Sequence, residues 1–495
     1  MRLAGDHRLW TAVLVLPFAA LFLFTVISGV PDISRSGDGA LLEFSTRSTA
    51  RLETLTGPYS RYGFHHPGPA YFLARIPLYY IFGRRATADY LTVCLISILS
   101  ILACVRILRR SRARTGAAAF CLLSALYLWT LRPAIWLSDW NPFIIILPSM
   151  VAFLSMAAAA SGGVSFLPLA AVSVSFTVQT HAGSLPAMLL AALYTSAALY
   201  RRRGETPMRK PLILGAAAAG LMWAPVLAAE LLPGRGGNLL AMAGFLGRTS
   251  PDISPGAALA VWADAVSGIE GHLLPGHALR TSGILLEAKA FLVLLRTALL
   301  VVCLRTLHRR GERGFPRSLL HIVLLVHLAT LASVLQLRGE PHAYLFLWFS
   351  ALSPLSWTAI LLVMARSRRL TGSRRVRTAA VCAAALCILC LSFLNTRAIW
   401  RQSRGRPWDP LGLHDPLVAE VAGSISGDAA AAGGVPLEIV PASHDQWPLM
   451  AGVVNQLDKM GMEVSVSRDL DFMTGLPPAE GSLEMVIDGS TADRN

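Results

Sequence analysis

The segment Leu9–Val30, LWTAVLVLPFAALFLFTVISGV, contains no charged residue. A helix of about 20 mostly apolar residues is long enough to cross the hydrocarbon core of a bilayer. Arg2 and Arg8 precede the segment, and its apolar run is longer than the roughly 7 to 15 residues of a cleaved signal peptide. We therefore predict a signal anchor whose N-terminus lies in the cytoplasm.

Ten further apolar runs follow. Because the chain is 54% hydrophobic and only 15% charged, with a mean hydropathy of +0.54, a water-soluble globular enzyme is excluded. The sequence predicts an α-helical polytopic membrane protein with about 11 transmembrane helices. The later runs are Ala88–Leu108, Ala117–Leu131, Phe143–Ala160, Val164–Thr180, Ser184–Tyr200, Pro211–Leu232, Leu285–Leu304, Ser318–Leu337, Ala343–Met364 and Thr378–Leu394.

The net charge of +15 comes from arginine clusters between these runs. With eleven spans, the clusters Arg109–Arg114, Arg201–Lys210, Arg305–Arg317 and Arg366–Arg377 all fall on the cytoplasmic side, as the positive-inside rule requires. The pattern favours contacts with membrane lipids and excludes nucleic acid as the partner. The Arg-rich and Ala-rich composition is typical of a GC-rich bacterial source, so we expect a multi-pass protein of the bacterial cytoplasmic membrane.

Pro69–Phe82 is apolar but short, and it contains Arg75. Counting it as a span would move every arginine cluster to the outside. We predict instead a helix that lies in the outer interface, anchored by Tyr71, Tyr79, Tyr80 and Arg75.

An odd number of spans places the C-terminus outside the cell. The sequence thus divides into a transmembrane domain, 1–394, and an exported small α/β domain, 395–495. From residue 415 the tail has 13 acidic and 3 basic residues, and no catalytic motif is found in it. Its predicted helices are Pro416–Ile425 and Trp447–Met460, and its predicted strands are Leu437–Val440, Glu463–Ser467 and Leu483–Ile487.

The first predicted exported loop, Pro31–Thr87, contains Asp38 at the start of an amphipathic pattern. Leu41, Phe44, Leu52 and Leu55 recur at near-helical spacing, which predicts a surface helix beginning at Asp38. Asp38 is either the N-cap of this helix or a carboxylate held at the membrane edge as a general base. The two roles are compatible, because a capped helix end has a fixed position.

The same loop continues with GPYSRYGFHHPGP, residues 57–69, and its next helix ends in Phe82-Gly83. An acidic residue after the first span, a Pro-rich turn and a following amphipathic segment resemble the first exported loop of GT-C fold glycosyltransferases. The similar branch includes protein mannosyltransferases and bacterial aminoarabinose and lipopolysaccharide sugar transferases. That branch commonly has Asp-Glu and Lys-Pro-Pro, where this chain has Asp38-Gly39 and 66–69, HPGP.

The resemblance implies that Asp38 is the catalytic base and that a polyprenyl-phosphate-linked sugar is the donor. It also implies that Asp139 is a second acidic site residue, in the loop before Asn141-Pro142. An inverting transfer needs a carboxylate to take the proton of the acceptor hydroxyl and donors to hold the departing phosphate. Arg61, His65 and His66 are the nearest donors in sequence, although an interfacial arginine and a turn-capping His pair would look the same.

Further candidate substrate-binding residues lie at predicted outer boundaries or inside spans. Asn141 followed by proline also suits a helix start, and the Gln179 and His181 pair also suits a helix end. Lys289 and Arg296 lie seven residues apart in one apolar run, where a charge costs about 2.5–3.5 kcal/mol. They could line a cavity for the lipid phosphate, or the span could start later and leave only Arg296 within it. The remaining candidates are Glu43, Arg338, Glu340 and His342.

All seven cysteines lie in apolar runs, so the sequence contains neither a disulfide framework nor a Cys metal motif. No cofactor motif is found. Whether a divalent metal ion is needed is left open by the sequence, although adjacent histidines are not a standard ligand spacing.

The leading hypothesis is a glycosyltransferase that moves a sugar from a polyprenyl-phosphate carrier to a glycan, lipid or protein acceptor at the outer face of the membrane. The alternative is a transporter or flippase of lipid-linked sugars, which favours broken helices and repeated halves. A third hypothesis is a non-catalytic scaffold that presents the acidic tail to a partner.

Overall fold

A computed structural model describes residues 7–111, 113–205, 207–232, 236–247, 252–273, 284–366, 374–402, 406, 408–431, 436–468, 470–476 and 482–487. The chain forms two compact units. The helical unit comprises Met1–Leu21, Val93–Ala224 and Gly247–Arg401, and the mixed unit comprises Phe22–Thr92, Pro225–Leu246 and Gln402–Asn495. Helices α1 (His7–Ile27), α4 (Ala88–Arg110) and α11 (Arg209–Leu231) each run from one unit into the other.

The helical unit consists mainly of long apolar helices. Each of the eleven predicted runs is helical over most of its length. Within the described residues, nine helices are long and apolar enough to cross a membrane, and Gly116–Leu131 and Val164–Thr180 are shorter apolar helices. The helices of this unit are α5 (Arg114–Leu131), α6 (Pro133–Trp136), α7 (Asn141–Ile144), α8 (Ile146–Ala160), α9 (Leu167–Thr180), α10 (Leu185–Arg201), α13 (Pro255–Ser267), α14 (Ile269–Leu273), α15 (Ile284–Arg309), α16 (Phe315–Leu335), α17 (Ala343–Phe346), α18 (Leu352–Met364) and α19 (Arg374–Gln402).

Helix α8 is the centre of the helical unit, and all of its residues are buried. Helices α9, α10 and α16 pack against it. Its C-terminal half ends in four alanines, 157–160, and small side chains let neighbouring helices approach closely within a membrane. Gly116 does the same between α5 and α18, since a Cβ atom there would lie 2.6 Å from a methyl carbon of Leu362.

The mixed unit contains the first long loop and the C-terminal α/β fold. Its three-stranded sheet has the order β4-β3-β5, and β3 is parallel to both neighbours. Helices α20 and α21 pack on one another beside this sheet, around a core that includes Val418, Ile439 and Leu457. Its elements are α2 (Gly37–Ala50), β1 (Tyr59–Ser60), β2 (Phe64–His65), α3 (Ala70–Ile81), α12 (Asn238–Gly247), α20 (Pro416–Ala431), β3 (Leu437–Pro441), α21 (Trp447–Lys459), β4 (Val464–Val466), α22 (Asp471–Thr474) and β5 (Leu483–Ile487).

The predicted C-terminal strands are confirmed, and β5 has the predicted bounds. Helix α20 continues six residues beyond the predicted Ile425, and the last three of them are alanines, which have the highest helix propensity of any residue. The predicted domain boundary at 394/395 stays a prediction, but the unit boundary in the structure follows Arg401 and the mixed unit also contains the first loop.

One prediction about the first exported loop is wrong. Helix α3 does not present its predicted anchors to an interface, because Tyr71, Arg75 and Tyr79 are completely buried and only Tyr80 is exposed. The described part of the segment between α11 and α15 contains the helices α12, α13 and α14, and α13 packs on α15 and α16.

Candidate active site

Asp38 lies in the first turn of α2, which begins at Gly37 after the N-cap residue Ser36. The prediction that Asp38 is the N-cap is therefore wrong. Gly37 has φ +56°, a conformation that favours glycine, and it sets the helix start one residue before Asp38. The half-buried carboxylate accepts a 2.5 Å hydrogen bond from the hydroxyl of Tyr59. The partial positive charge of the helix N-terminus stabilises a carboxylate at this position.

Helix α2 is buried on most of its circumference, so the prediction of a surface helix is also wrong. Leu41, Leu42 and Phe44 are buried as expected for an apolar side, but Glu43 and Arg47 are equally buried. Leu52 lies outside the helix and is 66% exposed. The charged side is covered because α21 of the C-terminal fold packs against it.

Glu43 and Arg47 bind this covering helix. Glu43 accepts hydrogen bonds from Tyr79 (2.8 Å), Asn455 (2.9 Å) and Lys459 (2.9 Å). Burial by itself raises the pKa of Glu43, but the positive charges of Lys459 and Arg47 and the hydrogen bonds from Lys459 and Asn455 outweigh it and lower the pKa to about 2. Glu43 is therefore ionised at neutral pH.

Arg47 completes the buried network. Its guanidinium donates to the hydroxyl of Tyr79 at 3.0 Å, to both the backbone and the side-chain oxygen of Asn455 at 2.9 Å, and to Asp458 at 2.8 Å. Glu43, predicted to bind substrate, thus lies in a network that fixes α2 on α21.

The C-terminal fold also contacts the start of α2. A Cβ atom at Gly37 would lie 3.5 Å from Pro448, and one at Gly452 would lie 2.6 Å from the carbonyl oxygen of Arg35. The ring of Trp447 is 6.4 Å from that of Tyr59. Glycine at 452 is required for this close approach, so the N-terminal end of α21 lies directly against the segment that carries Asp38.

The predicted His-Pro segment forms a β-hairpin next to this helix start. Tyr59 is paired with His65, and the amide of His66 donates to the carbonyl of Pro58 at 2.8 Å. The hairpin therefore connects the hydroxyl that binds Asp38 with both histidines. Arg61 is exposed in its turn, where Gly63 has φ +76°.

The hairpin is fastened to helix α12. The amide of His65 donates to the side-chain oxygen of Asn238 at 2.7 Å, and the amide nitrogen of Asn238 donates back to the carbonyl of His65 at 3.0 Å. Tyr62 and Phe64 pack against Phe245, with ring centroids 4.6 and 5.4 Å away. Burial lowers the pKa of His65 to about 4, so its ring is neutral at neutral pH.

Sequence reasoning missed a buried ion triad in the same unit. Arg35 and Arg75 both bind Asp89, Arg35 at 3.3 Å and Arg75 through two nitrogens, and all three side chains are almost completely buried. Asp89 lies in the first turn of α4. The available signal was an acidic residue at the start of an apolar span, where an acid needs a cationic partner to be buried.

A second cluster of candidates lies in the helical unit. Asn141 is the first residue of α7 and Trp140 its N-cap, so the predicted capping role is wrong. The Asn141 amide donates to the carbonyl of Thr180 at 3.2 Å. Asp139 and His181 are buried beside these positions in the chain. Burial lowers the pKa of His181 to about 4, against an opposing hydrogen bond with the backbone of Leu345.

The loop before α17 joins this cluster. The ring of Tyr344 lies 4.6 Å from that of Trp140 and stacks on His342 at 5.6 Å. Three predicted boundary segments, around 140, 180 and 343, thus meet at one place. Gln179 is directed elsewhere, because its amide donates to the carbonyl of Met222 at 2.9 Å. Arg338 is half-buried and Glu340 is exposed in the same loop.

Lys289 and Arg296 are both buried, and each has an acidic partner. Lys289 forms a 2.6 Å ion pair with Asp264, and Arg296 forms a bidentate pair with Glu270 at 2.8 and 2.9 Å. Glu270 also accepts from Ser353 at 2.7 Å and Trp357 at 2.6 Å. The span does include both cations, and each has an acid from α13 or α14 that offsets the cost of its burial.

Within the described part of the chain, no three His, Cys, Asp or Glu side chains come close enough together to hold a metal ion. The candidate site as described is therefore built from a carboxylate, a phenol, an arginine and imidazoles. This set can accept a proton and donate hydrogen bonds to an anionic group.

Comparison with protein-family models and with curated proteins finds no match. Among solved structures, ArnT from Cupriavidus metallidurans bound to undecaprenyl phosphate is similar, with a TM-score of 0.54 at 15% identity over 93% of this chain and 87% of that chain. Its apo structure has a TM-score of 0.53 at 14% identity over the same shares of the two chains. These two likenesses establish the fold, and they confirm the predicted polytopic GT-C fold. The oligosaccharyltransferase of Archaeoglobus fulgidus, tethered to an acceptor peptide, has a TM-score of 0.48 at 12% identity over 91% of this chain and 63% of that chain. This TM-score is too low to establish a shared fold.

Proposed function

We propose that this protein is a membrane glycosyltransferase that moves a sugar from a polyprenyl-phosphate carrier to an acceptor hydroxyl, with Asp38 as the general base. The observation that carries the proposal is the half-buried Asp38 carboxylate, held at a helix N-terminus and oriented by Tyr59. The GT-C fold supports it, as does the undecaprenyl phosphate bound to the ArnT structure of similar fold. The acceptor is a glycan, a lipid or a protein.

In the proposed reaction the acceptor oxygen attacks the anomeric carbon of the sugar. A new carbon–oxygen bond forms as the bond from that carbon to the phosphate oxygen breaks. The polyprenyl phosphate leaves with the bonding electron pair, and the hydroxyl proton moves to Asp38. A single displacement of this kind inverts the anomeric configuration. The Tyr59 hydroxyl holds one oxygen of Asp38 in place, which keeps the carboxylate oriented for this transfer.

The departing phosphate needs a cation or hydrogen-bond donors. We assign the cationic role to Arg61, because an arginine keeps its charge at all physiological pH values and this one is exposed in the hairpin turn. His65 is neutral at neutral pH, so it could supply a hydrogen bond and no net charge. His66, buried in the same hairpin, is proposed as a second hydrogen-bonding group.

Glu43 and Arg47 are proposed to position Asp38 and not to bind substrate. Their oxygens and nitrogens are bonded to Tyr79, Asn455, Asp458 and Lys459. Asp38 is in the same helix, five residues before Glu43. A function of the C-terminal fold is then to hold the helix that carries the base.

The second cluster is proposed to contact substrate through Asp139, Asn141, His181 and His342. Arg338 and Glu340 are proposed to border it. Gln179 and Arg296 bind residues of neighbouring helices. We propose that these two residues stabilise the helix packing and do not bind substrate.

A donor-turnover assay tests the proposed function. The full chain is purified and reconstituted into liposomes with a panel of undecaprenyl-phosphate-linked sugars and candidate acceptors. Release of undecaprenyl phosphate that depends on an acceptor supports the transferase. Movement of the intact lipid-linked sugar between leaflets, without release, contradicts it and indicates a flippase. Absence of both activities contradicts both hypotheses.

We also propose that the C-terminal fold lies outside the cell, with the N-terminus in the cytoplasm. Eleven spans and the four arginine clusters support this orientation. An alkaline phosphatase reporter fused after Asn495 is expected to be active, since that enzyme folds only where disulfides form. A fluorescent protein that folds in the cytoplasm is the complementary reporter, and strong fluorescence from the same fusion point would overturn the orientation.

A further inference from the structure

Arg132 has a strained backbone at the junction of two helices. It lies between the last residue of α5, Leu131, and the first residue of α6, Pro133, and its backbone angles are φ +68° and ψ +150°. This region of backbone space is occupied almost only by glycine, because a Cβ atom is crowded there. A side chain at this position therefore lowers the stability of the fold, and conformation alone would favour glycine.

Packing within the protein does not explain why this residue is an arginine. Leu131 and Pro133 on either side of it are buried, whereas Arg132 is exposed. Across the part of the chain that the structure describes, its guanidinium forms no hydrogen bond and no ion pair. Strained backbone of this kind is found mainly at active sites and at sites that bind a ligand. The observations therefore favour a partner of Arg132 outside the chain.

The loop after Arg132 is fixed by a series of hydrogen bonds. The amide of Ile135 donates to the carbonyl of Arg132, and the amide of Ser138 donates to the carbonyl of Ile135, both at 3.2 Å. The amide of Trp140 donates to the hydroxyl of Ser138 at 3.2 Å. Trp140 belongs to the second cluster of candidate residues, so Arg132 and that cluster are parts of one hydrogen-bonded loop.

The predicted orientation places this loop at the outer boundary of the membrane. Helix α5 begins next to the predicted cytoplasmic cluster Arg109–Arg114, and Arg132 directly follows its last residue. Guanidinium groups bind phosphate oxygens through paired, charge-assisted hydrogen bonds. An arginine that only reaches lipid headgroups does so through its long flexible side chain and needs no strained backbone. The strain therefore favours one specific phosphate ligand.

We propose that Arg132 binds the phosphate group of the polyprenyl-phosphate-linked donor. This inference rests on the proposed function and adds a donor-binding residue that sequence reasoning did not single out. No internal contact orients the guanidinium, so it is not preorganised for the transition state. It should bind the donor in the ground state and in the transition state about equally, which affects KM more than kcat.

Binding of undecaprenyl phosphate to the full purified chain tests the proposal without a transfer assay. Dissociation constants are measured by native mass spectrometry for the wild type, R132Q and R132K. R132Q removes the charge and is expected to weaken binding about tenfold, the contribution of one charge-assisted hydrogen bond. R132K keeps the charge but cannot form the paired bonds, so its binding should lie between the two. In the donor-turnover assay, R132Q should raise the KM for donor and leave kcat nearly unchanged.

Glycine at position 132 tests the strain separately. R132G removes the charge and the crowded Cβ atom together. We expect it to bind undecaprenyl phosphate as weakly as R132Q does and to melt about 1 to 2 °C above the wild type. R132Q retains the Cβ atom and should melt with the wild type. A variant that is more stable but binds more weakly is typical of a position where function and stability conflict.

Arg84 provides the matched control. It is also an exposed arginine with a positive φ, +60°, and it lies in the first predicted exported loop. No part of the candidate site is assigned to it. R84Q removes the same charge from a similar backbone conformation and should leave the binding of undecaprenyl phosphate unchanged.

Several results would overturn the proposal. Equal dissociation constants for the wild type and R132Q, or no binding by the wild type, would do so. An equal loss in R84Q would indicate general charge attraction, and displacement by an equal amount of phosphatidylglycerol would assign Arg132 to ordinary headgroups. A lower melting temperature of R132G would contradict the strain argument. Binding that depends on Arg132 without transfer from any donor would reject the proposed transferase and keep Arg132 as a phosphate-binding residue.

Discussion

Replacing Asp38 with asparagine is expected to lower the rate of sugar transfer by a factor of about 10² to 10⁴, the usual contribution of a positioned general base. Asparagine has the same size and can still accept a hydrogen bond from Tyr59, so the local structure should persist. It cannot take the proton from an acceptor hydroxyl. The measurement is the release of undecaprenyl phosphate by reconstituted wild type and D38N protein at saturating donor. Since the loss is specific to the transition state, kcat should fall while KM changes little.

The control for this substitution is D428N, which changes an exposed carboxylate on α20 of the same unit and should leave the rate unchanged. Comparable turnover by D38N and wild type would exclude Asp38 as the base, even if the protein proves to be a transferase. An equal loss of transfer rate in D428N would show that removing any carboxylate of this unit lowers the rate, and that the effect is not specific to Asp38.

Replacing Arg47 with methionine is expected to weaken the docking of α2 on α21 by about 3–5 kcal/mol, the range for removing one partner of a buried ion pair. The side chain of Arg47 is 1% exposed, and its loss leaves Asp458, Asn455 and Tyr79 without their shared donor. Hydrogen exchange of the amides of α2 is the measurement. Protection there should fall by about two to three and a half orders of magnitude, because about 1.4 kcal/mol is a tenfold change.

Arg51 provides a matched control in the same segment. It also pairs with Asp458, at 3.3 Å, but its side chain is 40% exposed. An exposed ion pair contributes at most about 1 kcal/mol, so R51M should change the exchange of α2 by less than about fivefold. If R47M and R51M behaved alike, burial of the network would not be what holds α2 in place.

The two experiments together separate catalysis from positioning. If the C-terminal fold holds the helix that carries Asp38, R47M should lose transfer activity as well as protection. D38N should lose activity while its α2 amides stay protected. A full loss of protection in R47M with unchanged turnover would remove the proposed positioning role of the C-terminal fold and leave Asp38 untouched.

The positions of the apolar helices could be predicted from the sequence because the signal is local. A bilayer of fixed thickness requires an apolar run of fixed length. A span such as Leu9–Val30 or Ala343–Met364 can therefore be recognised from its own residues, without knowledge of the rest of the chain. Short strands such as Leu483–Ile487 were predictable for a similar reason, since β-branched and apolar residues there are bounded by turn residues.

The partners of charged residues could not be predicted in the same way. Glu43 and Arg296 each look like a functional charge, because an unpaired charge at such a position would be costly. Whether a partner exists depends on residues far along the chain. The sequence separation is 411 residues between Arg47 and Asp458 and 26 residues between Arg296 and Glu270.

Asp38 has features of both kinds, some predictable from the sequence and some set by tertiary contacts. Its place after the first span, and before the His-Pro segment, is fixed by the order of residues along the chain, and that order alone indicated a carboxylate near a membrane boundary. Its bond to Tyr59 and the burial of its helix against α21 arise only on folding. Hydropathy is a property of each residue and its neighbours, whereas the burial of a charge depends on a compensating partner brought close by packing, so the spans were set by the sequence and the candidate site by the tertiary structure.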